Sequence, residues 1–122
     1  MILADTSVWV GHLRQADAHL QDCLMNGQIL IHPYVLGELA CGNLHFRTRI
    51  LSDLGKLPFA AQADDAEVLR LVEEHRLFGK GIGWVDAHLI ASARLTGCRL
   101  WTLDVRLSEI AHRLGVGYRR VM

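Results

Sequence analysis

Short apolar runs, each stopping on a polar residue or a proline and separated by longer amphipathic stretches, constrain the fold of this sequence more than any other feature. The first is MILA, residues 1–4, which ends on Asp5 and is followed at once by two hydroxyls, Thr6 and Ser7. A strand with one wet face alternates apolar and polar residues. One that is apolar at every position is buried on both faces, as in the middle of a helix-covered parallel sheet. QILIH closes at Pro33, LPFA surrounds Pro58, CRLWTL runs up to Asp104, and VGYRRV lies at the end of the chain. These are the further candidate strands.

Helical signals fill the intervals. A helix over about Ser7–Leu13 has Asp5, Thr6 or Ser7 as its cap. DAHLQDCLMNG starts on Asp17, places Leu20, Cys23 and Leu24 on one face and stops at Asn26-Gly27. PYVLGELACGNL opens on Pro33, whose missing N–H costs nothing in a first turn. FRTRILSDLGKL is expected to be helical up to Gly55. In DDAEVLRLVEEHRLFG, Val68, Leu69, Leu71 and Val72 are expected to face inward. GKGIG reads as a flexible loop, Trp84–Thr96 as an apolar helix ended by Gly97, and VRLSEIAHRLG as a last helix. Strands alternating with helices imply an α/β fold with a parallel sheet covered by helices.

At 122 residues the chain is expected to be one domain, spanning 1–122. Thirteen basic and 13 acidic residues cancel, so any binding to nucleic acid must be local and not driven by the whole-molecule field. Three widely spaced cysteines, Cys23, Cys41 and Cys98, with no C-x-x-C pair, fit a reducing cytosol and no disulfide framework. The apolar N-terminus lacks a basic start and a cleavage pattern, and no stretch approaches the roughly 20 apolar residues of a membrane span. A soluble, cytoplasmic protein is expected.

Four acids stand out against this apolar background. Asp5 and Asp104 end buried strands, and strand C-termini are where open parallel sheets bind ligands. Glu38, in VLGELACG, and Asp86, in WVDAHLIASA, interrupt helical faces that are otherwise apolar. If the four met, two charges about 4 Å apart at an effective dielectric of about 20 would repel by roughly 4 kcal/mol. A divalent cation removes that penalty, and all-oxygen ligands select hard ions such as Mg²⁺ or Mn²⁺. Such a centre suits phosphodiester hydrolysis, in which the ion activates water and neutralises the leaving oxygen. Thr6, Ser7 and Thr102 are placed to orient these groups.

Ordinary roles compete at each position. Asp5 and Asp104 could serve only as helix caps, Asp86 could be favoured by its helix dipole alone, and Glu38 could be a partly exposed helical glutamate. His19 and Cys23, four apart on a helix, lack the second pair a zinc site needs. His88, two residues from Asp86, points away from it on a helix. The basic group of His45, Arg47 and Arg49 could bind RNA phosphates or simply solvate a helix start, and Arg119 and Arg120 share that ambiguity. Trp9, Trp84 and Trp101 could stack on bases, although packing in a core or interface suits their apolar neighbours better.

ILADTSVWV, VLGELACG, GIGWVDAHLIASA and LWTLDVRL together resemble the four acidic motifs of PIN-domain ribonucleases, most closely the VapC-type toxins of toxin–antitoxin pairs. The resemblance spans nearly the whole chain in the family's order. It implies a three-layer α/β/α sandwich around a parallel sheet and an endoribonuclease dependent on Mg²⁺ or Mn²⁺. It also implies dimerisation and inhibition by a cognate antitoxin. Carried over by position, the metal-site acids are Asp5, Glu38, Asp86 and Asp104, supported by Thr6 or Ser7 and by Thr102. One departure is visible: where many relatives carry another acid after the position of Asp104, this chain has Val105 and Arg106. That leaves a second metal open and makes Arg106, with Arg47 and Arg49, a candidate contact to substrate phosphate. Two other functions compete with the nuclease. A phosphatase with an aspartyl nucleophile commonly has a second acid where this chain has Ser7. A catalytically silent PIN-like module would bind RNA or protein without cutting.

Overall fold

In the computed structural model, which describes residues 1–120, the strand β1 (Ile2–Ala4) is buried at all three positions. Successive strand residues face opposite sides of a sheet, so both faces at β1 are covered. β1 pairs in parallel with β2 (Ile29–Leu30), Leu3 opposite Leu30, and with β3 (Arg99–Trp101), Ala4 opposite Trp101, in the order β2-β1-β3. The helices are α1 (Thr6–Arg14), α2 (Ala18–Met25), α3 (Pro33–Cys41), α4 (Arg47–Leu54), α5 (Asp65–Glu74), α6 (Trp84–Thr96) and α7 (Val105–Arg113). The architecture is the expected α/β/α sandwich around a central parallel sheet.

The chain leaves β1 for β2 on one side and reaches the other side only with β3. Connections therefore diverge at the C-terminal end of β1, the switch point at which open parallel sheets form their ligand crevice. Asp5 is the first residue beyond β1, and its N–H donates to the Trp101 carbonyl at 2.9 Å, tying the ends of β1 and β3 together. One apolar cluster runs through the sheet and includes Leu3, Ile29, Leu100, Val35, Ile90 and Leu107.

Two expected strands shrink to single parallel bridges. LPFA contributes only Phe59 opposite Ile31, and the C-terminal segment only Gly117 opposite Leu100. Pro58 has no N–H to give a ladder, so this edge is held by Ile31 N–H to the Pro58 carbonyl and Ala60 N–H to the Ile31 carbonyl, each 2.9 Å. Val121, the last residue of the expected terminal strand, lies outside the described residues. Leu69 does not face inward: it is 57% exposed, while Val68 and Leu71 are buried, because residue 69 sits about 100° around the helix from residue 68. Trp9 and Trp101 are core residues, but Trp84 is 43% exposed at the start of α6.

The helix boundaries follow their caps. Asp17 accepts from the N–H groups of His19 and Leu20 to start α2, and Asp64 and Glu67 form a reciprocal box at the start of α5. Gly97, at φ 74°, ends α6 in the left-handed region that glycine enters without strain. No helix among the described residues is long and apolar enough to cross a membrane.

Candidate active site

The short run Asp5-Thr6-Ser7 divides its labour. Asp5 is buried and caps α1, its Oδ1 accepting from the Val8 N–H at 3.1 Å and from the Ser7 hydroxyl at 2.6 Å. Ser7 Oγ also accepts the Leu103 N–H at 2.9 Å, bracing the segment that follows β3. Thr102 Oγ1 accepts the Asp104 N–H at 3.0 Å and stands 3.5 Å from Ser7 Oγ. Thr6 turns to α3 instead, its hydroxyl donating to Glu38 Oε1 at 2.6 Å. The hydroxyls beside Asp5 are thus committed to holding carboxylates and backbone in place.

Asp104 caps α7, its Oδ1 accepting from the N–H groups of Arg106 at 2.9 Å and Leu107 at 3.2 Å. Asp86, in the first turn of α6, accepts the Gly83 N–H through Oδ2 at 3.1 Å. The capping role anticipated for Asp5 and Asp104 is therefore real, but it occupies only part of each group. Asp86 Oδ1, Asp104 Oδ2 and Glu38 Oε2 have no hydrogen-bond partner among the described residues.

Electrostatics links the four acids. The Asp86 carboxyl is raised above the ordinary carboxylate range, first by burial and then by the negative charges of Asp5, Asp104 and Glu38, against the Gly83 hydrogen bond. Asp5 is raised by burial, which outweighs the opposing hydrogen bonds from Ser7, Thr102 and the backbone of Val8 and Ser7. The donor chemistry, carboxylates only, fits a hard divalent cation and not zinc. As the side chains stand, no group of three His, Cys, Asp or Glu among the described residues forms a ready ligand set. The acids therefore share a field without yet sharing a coordination point.

The basic candidates are less concentrated. Arg47 donates to the Gly42 carbonyl at 3.3 Å, and Arg49 faces Asp53 one helical turn away at 3.9 Å with both side chains exposed. Neither contacts the four acids. Arg106 lines a cleft with Lys80 and Arg113, which carry no signal in the sequence, one standing in a glycine-rich loop and the other at a helix end. Arg120 is drawn away to Asp17 and lies over the Trp101 ring, 5.1 Å from its centroid. His19 bonds the Tyr118 hydroxyl and has Cys23 Sγ at 3.8 Å.

Beneath α6 lies a cluster with no clear signature in the sequence. His88 is buried, packs edge-on against Tyr34 and Trp84 with ring centroids 4.8 and 4.6 Å away, and has Asp65 Oδ1 3.2 Å from its Nε2. Its side chain anchors the helix that carries Asp86. Nearby His32 caps α3, its Nδ1 accepting the Tyr34 N–H at 3.0 Å, and burial followed by the charge of His88 lowers it to about 4.

Residues 2–113 match the PIN domain. Ribonuclease VapC32 of Mycobacterium tuberculosis, in both strain CDC 1551 / Oshkosh and strain ATCC 25618 / H37Rv, is 46% identical over 117 residues, covering 95% of this chain and 94% of that protein. The crystal structure of PAE2754 from Pyrobaculum aerophilum aligns with a TM-score of 0.59 at 19% identity, over 93% of this chain and 88% of that one, a likeness of fold. The chain belongs to the PIN-domain family, and within it to the VapC type.

Proposed function

We propose that this chain is a metal-dependent endoribonuclease, the toxin of a type II toxin–antitoxin pair, hydrolysing RNA phosphodiester bonds at Asp5, Glu38, Asp86 and Asp104. The reading is carried by the placement of the acids: Asp5 and Asp104 follow the paired strands β1 and β3, Thr6 beside Asp5 holds Glu38, and Asp86, raised first by burial, is raised further by the charges of the other three. A fold that gathers repelling carboxylates at its ligand crevice gives up stability unless a cation joins them. The name of the Mycobacterium tuberculosis relative, a ribonuclease similar along almost the whole length, supports the same activity.

In this reading the four acids hold Mg²⁺ or Mn²⁺, which when bound supplies Lewis-acid activation of water and charge neutralisation at the phosphate. Thr6 fixes Glu38, and Ser7 with Thr102 fixes Asp5 and the backbone before Asp104. Val105 and Arg106 in place of a further acid favour a single ion. Arg106 meets substrate phosphate, with Arg47 and Arg49 as outlying contacts to the strand. The cognate antitoxin and a second copy of the chain are its protein partners, and the cytoplasm is its setting.

The test is cleavage of several RNA substrates by wild type and Asp86→Asn, with Mg²⁺, with Mn²⁺ and with chelator. Cleavage by wild type alone, lost with chelator and restored by either ion, is expected. Equal turnover by both proteins, or none by folded wild type on any substrate, would leave the silent binding module as the better description.

A further inference from the structure

A second feature adjoins the acids and is opposite in charge. The loop before α6 and one face of α7 border a cleft of about 280 Å³ lined by Lys80, Arg106, Glu109, Ile110 and Arg113. Three cations face one carboxylate there, and none of the three forms an ion pair among the described residues. Arg113 is steadied by its own hydrogen bond to the His75 carbonyl at 3.0 Å. The others keep their full donor capacity.

The seat of Arg106 is built into the backbone. Gly81 has φ 82°, and a Cβ placed on it would fall 2.5 Å from Arg106 Nη1 and 2.7 Å from Cδ. Only glycine both adopts that conformation freely and leaves room for the guanidinium to lie across the loop. The walls of the cleft also lead directly to the acids. Asp104 accepts the backbone N–H of Arg106, and Gly83, three residues after Lys80, donates to Asp86. A planar guanidinium beside an ammonium, open to solvent and lacking carboxylate partners, suits phosphate oxygens.

We propose that this cleft binds a backbone phosphate of the RNA strand next to the one that is cut, through Arg106 and Lys80 with Arg113 behind them. The proposal rests on the nuclease reading and extends it to how the strand is held. Like-charged phosphates are repelled by the four acids, so a cationic seat immediately beside them fixes the register of the strand. Contacts of this type position the substrate without reading its sequence.

The test measures binding of a fluorescein-labelled mixed-sequence single-stranded RNA by anisotropy, in an Asp86→Asn background, across about 50 to 200 mM salt. Adding Lys80→Gln and Arg106→Gln is expected to weaken binding roughly tenfold and to lower the salt slope by about 0.7, for the one phosphate of a single strand that is no longer neutralised. Arg70→Gln, on the exposed surface of α5, serves as the control and leaves both unchanged. Both replaced side chains are exposed, so the fold is not at risk. Affinity and slope equal to the control overturn the phosphate seat and leave the cleft to a protein partner, while RNA cleavage by wild type keeps the nuclease reading intact. No RNA binding by the folded background protein and no cleavage by wild type would overturn both.

Discussion

The Thr6 hydroxyl donates to Glu38 Oε1 at 2.6 Å, joining the first residue of α1 to a residue of α3 that lies 32 positions along the chain. Because Asp5 already caps α1, Thr6 is not needed for the cap and is free to hold the more exposed carboxylate. Thr6→Val is expected to lower RNA cleavage by about 10- to 100-fold, the usual cost of releasing a group that orients a metal ligand. The melting temperature should change by no more than about 1 kcal/mol warrants. Thr6→Ser should keep activity near wild type, whereas undiminished cleavage by Thr6→Val would show that the hydroxyl is irrelevant.

Asp86→Asn and Asp5→Asn should each stabilise the metal-free protein at neutral pH, by about 0.5–2 kcal/mol. Both carboxyls are raised in the folded state, so the stability they contribute is present below the unfolded-state value and is lost as pH rises through the folded one. Asparagine keeps an acceptor for Gly83 or Val8 and removes the charge. Chemical denaturation in chelator at pH 7 measures this, and a less stable Asp86→Asn protein would contradict the repulsion described here.

His32 pulls in the opposite direction. It is 1% exposed and its pKa falls from 6.5 to about 4, so the neutral form is favoured on folding. That contribution is full above 6.5 and is lost as pH drops toward 4, where protonation of Nδ1 would also break its bond to the Tyr34 N–H. Wild type should therefore lose melting temperature between pH 7 and 5. His32→Asn, which keeps a cap acceptor, should lose less over the same interval, and an equal loss would assign the effect elsewhere.

Sequence was most informative where a residue broke a local rule. An aspartate closing an apolar strand and an acid on an apolar helix face are visible without coordinates, and so were the switch-point position of Asp5 and the oddity of Glu38. The cap at Asp104 was equally plain from its strand-to-helix setting. What sequence could not show were relations between segments that only folding creates: the Thr6–Glu38 bond, the packing of His88 against Tyr34, and Arg106 lying across Gly81. The apolar character of LPFA suggests a strand, but Pro58 has no N–H to extend the ladder, and only the bridge between Phe59 and Ile31 forms. Leu69 is apolar, yet its angle around α5 turns it away from the face that Val68 and Leu71 bury.

Four carboxylates distant in sequence are proposed to act as one cation site, and Mn²⁺ binding by titration calorimetry tests that without relying on catalysis. Asp5→Asn, Glu38→Gln, Asp86→Asn and Asp104→Asn are each expected to weaken Mn²⁺ binding by about tenfold or more. Glu73→Gln, on the exposed side of α5, should bind like wild type. Wild-type affinity in a folded variant of any one of the four acids would contradict a shared site.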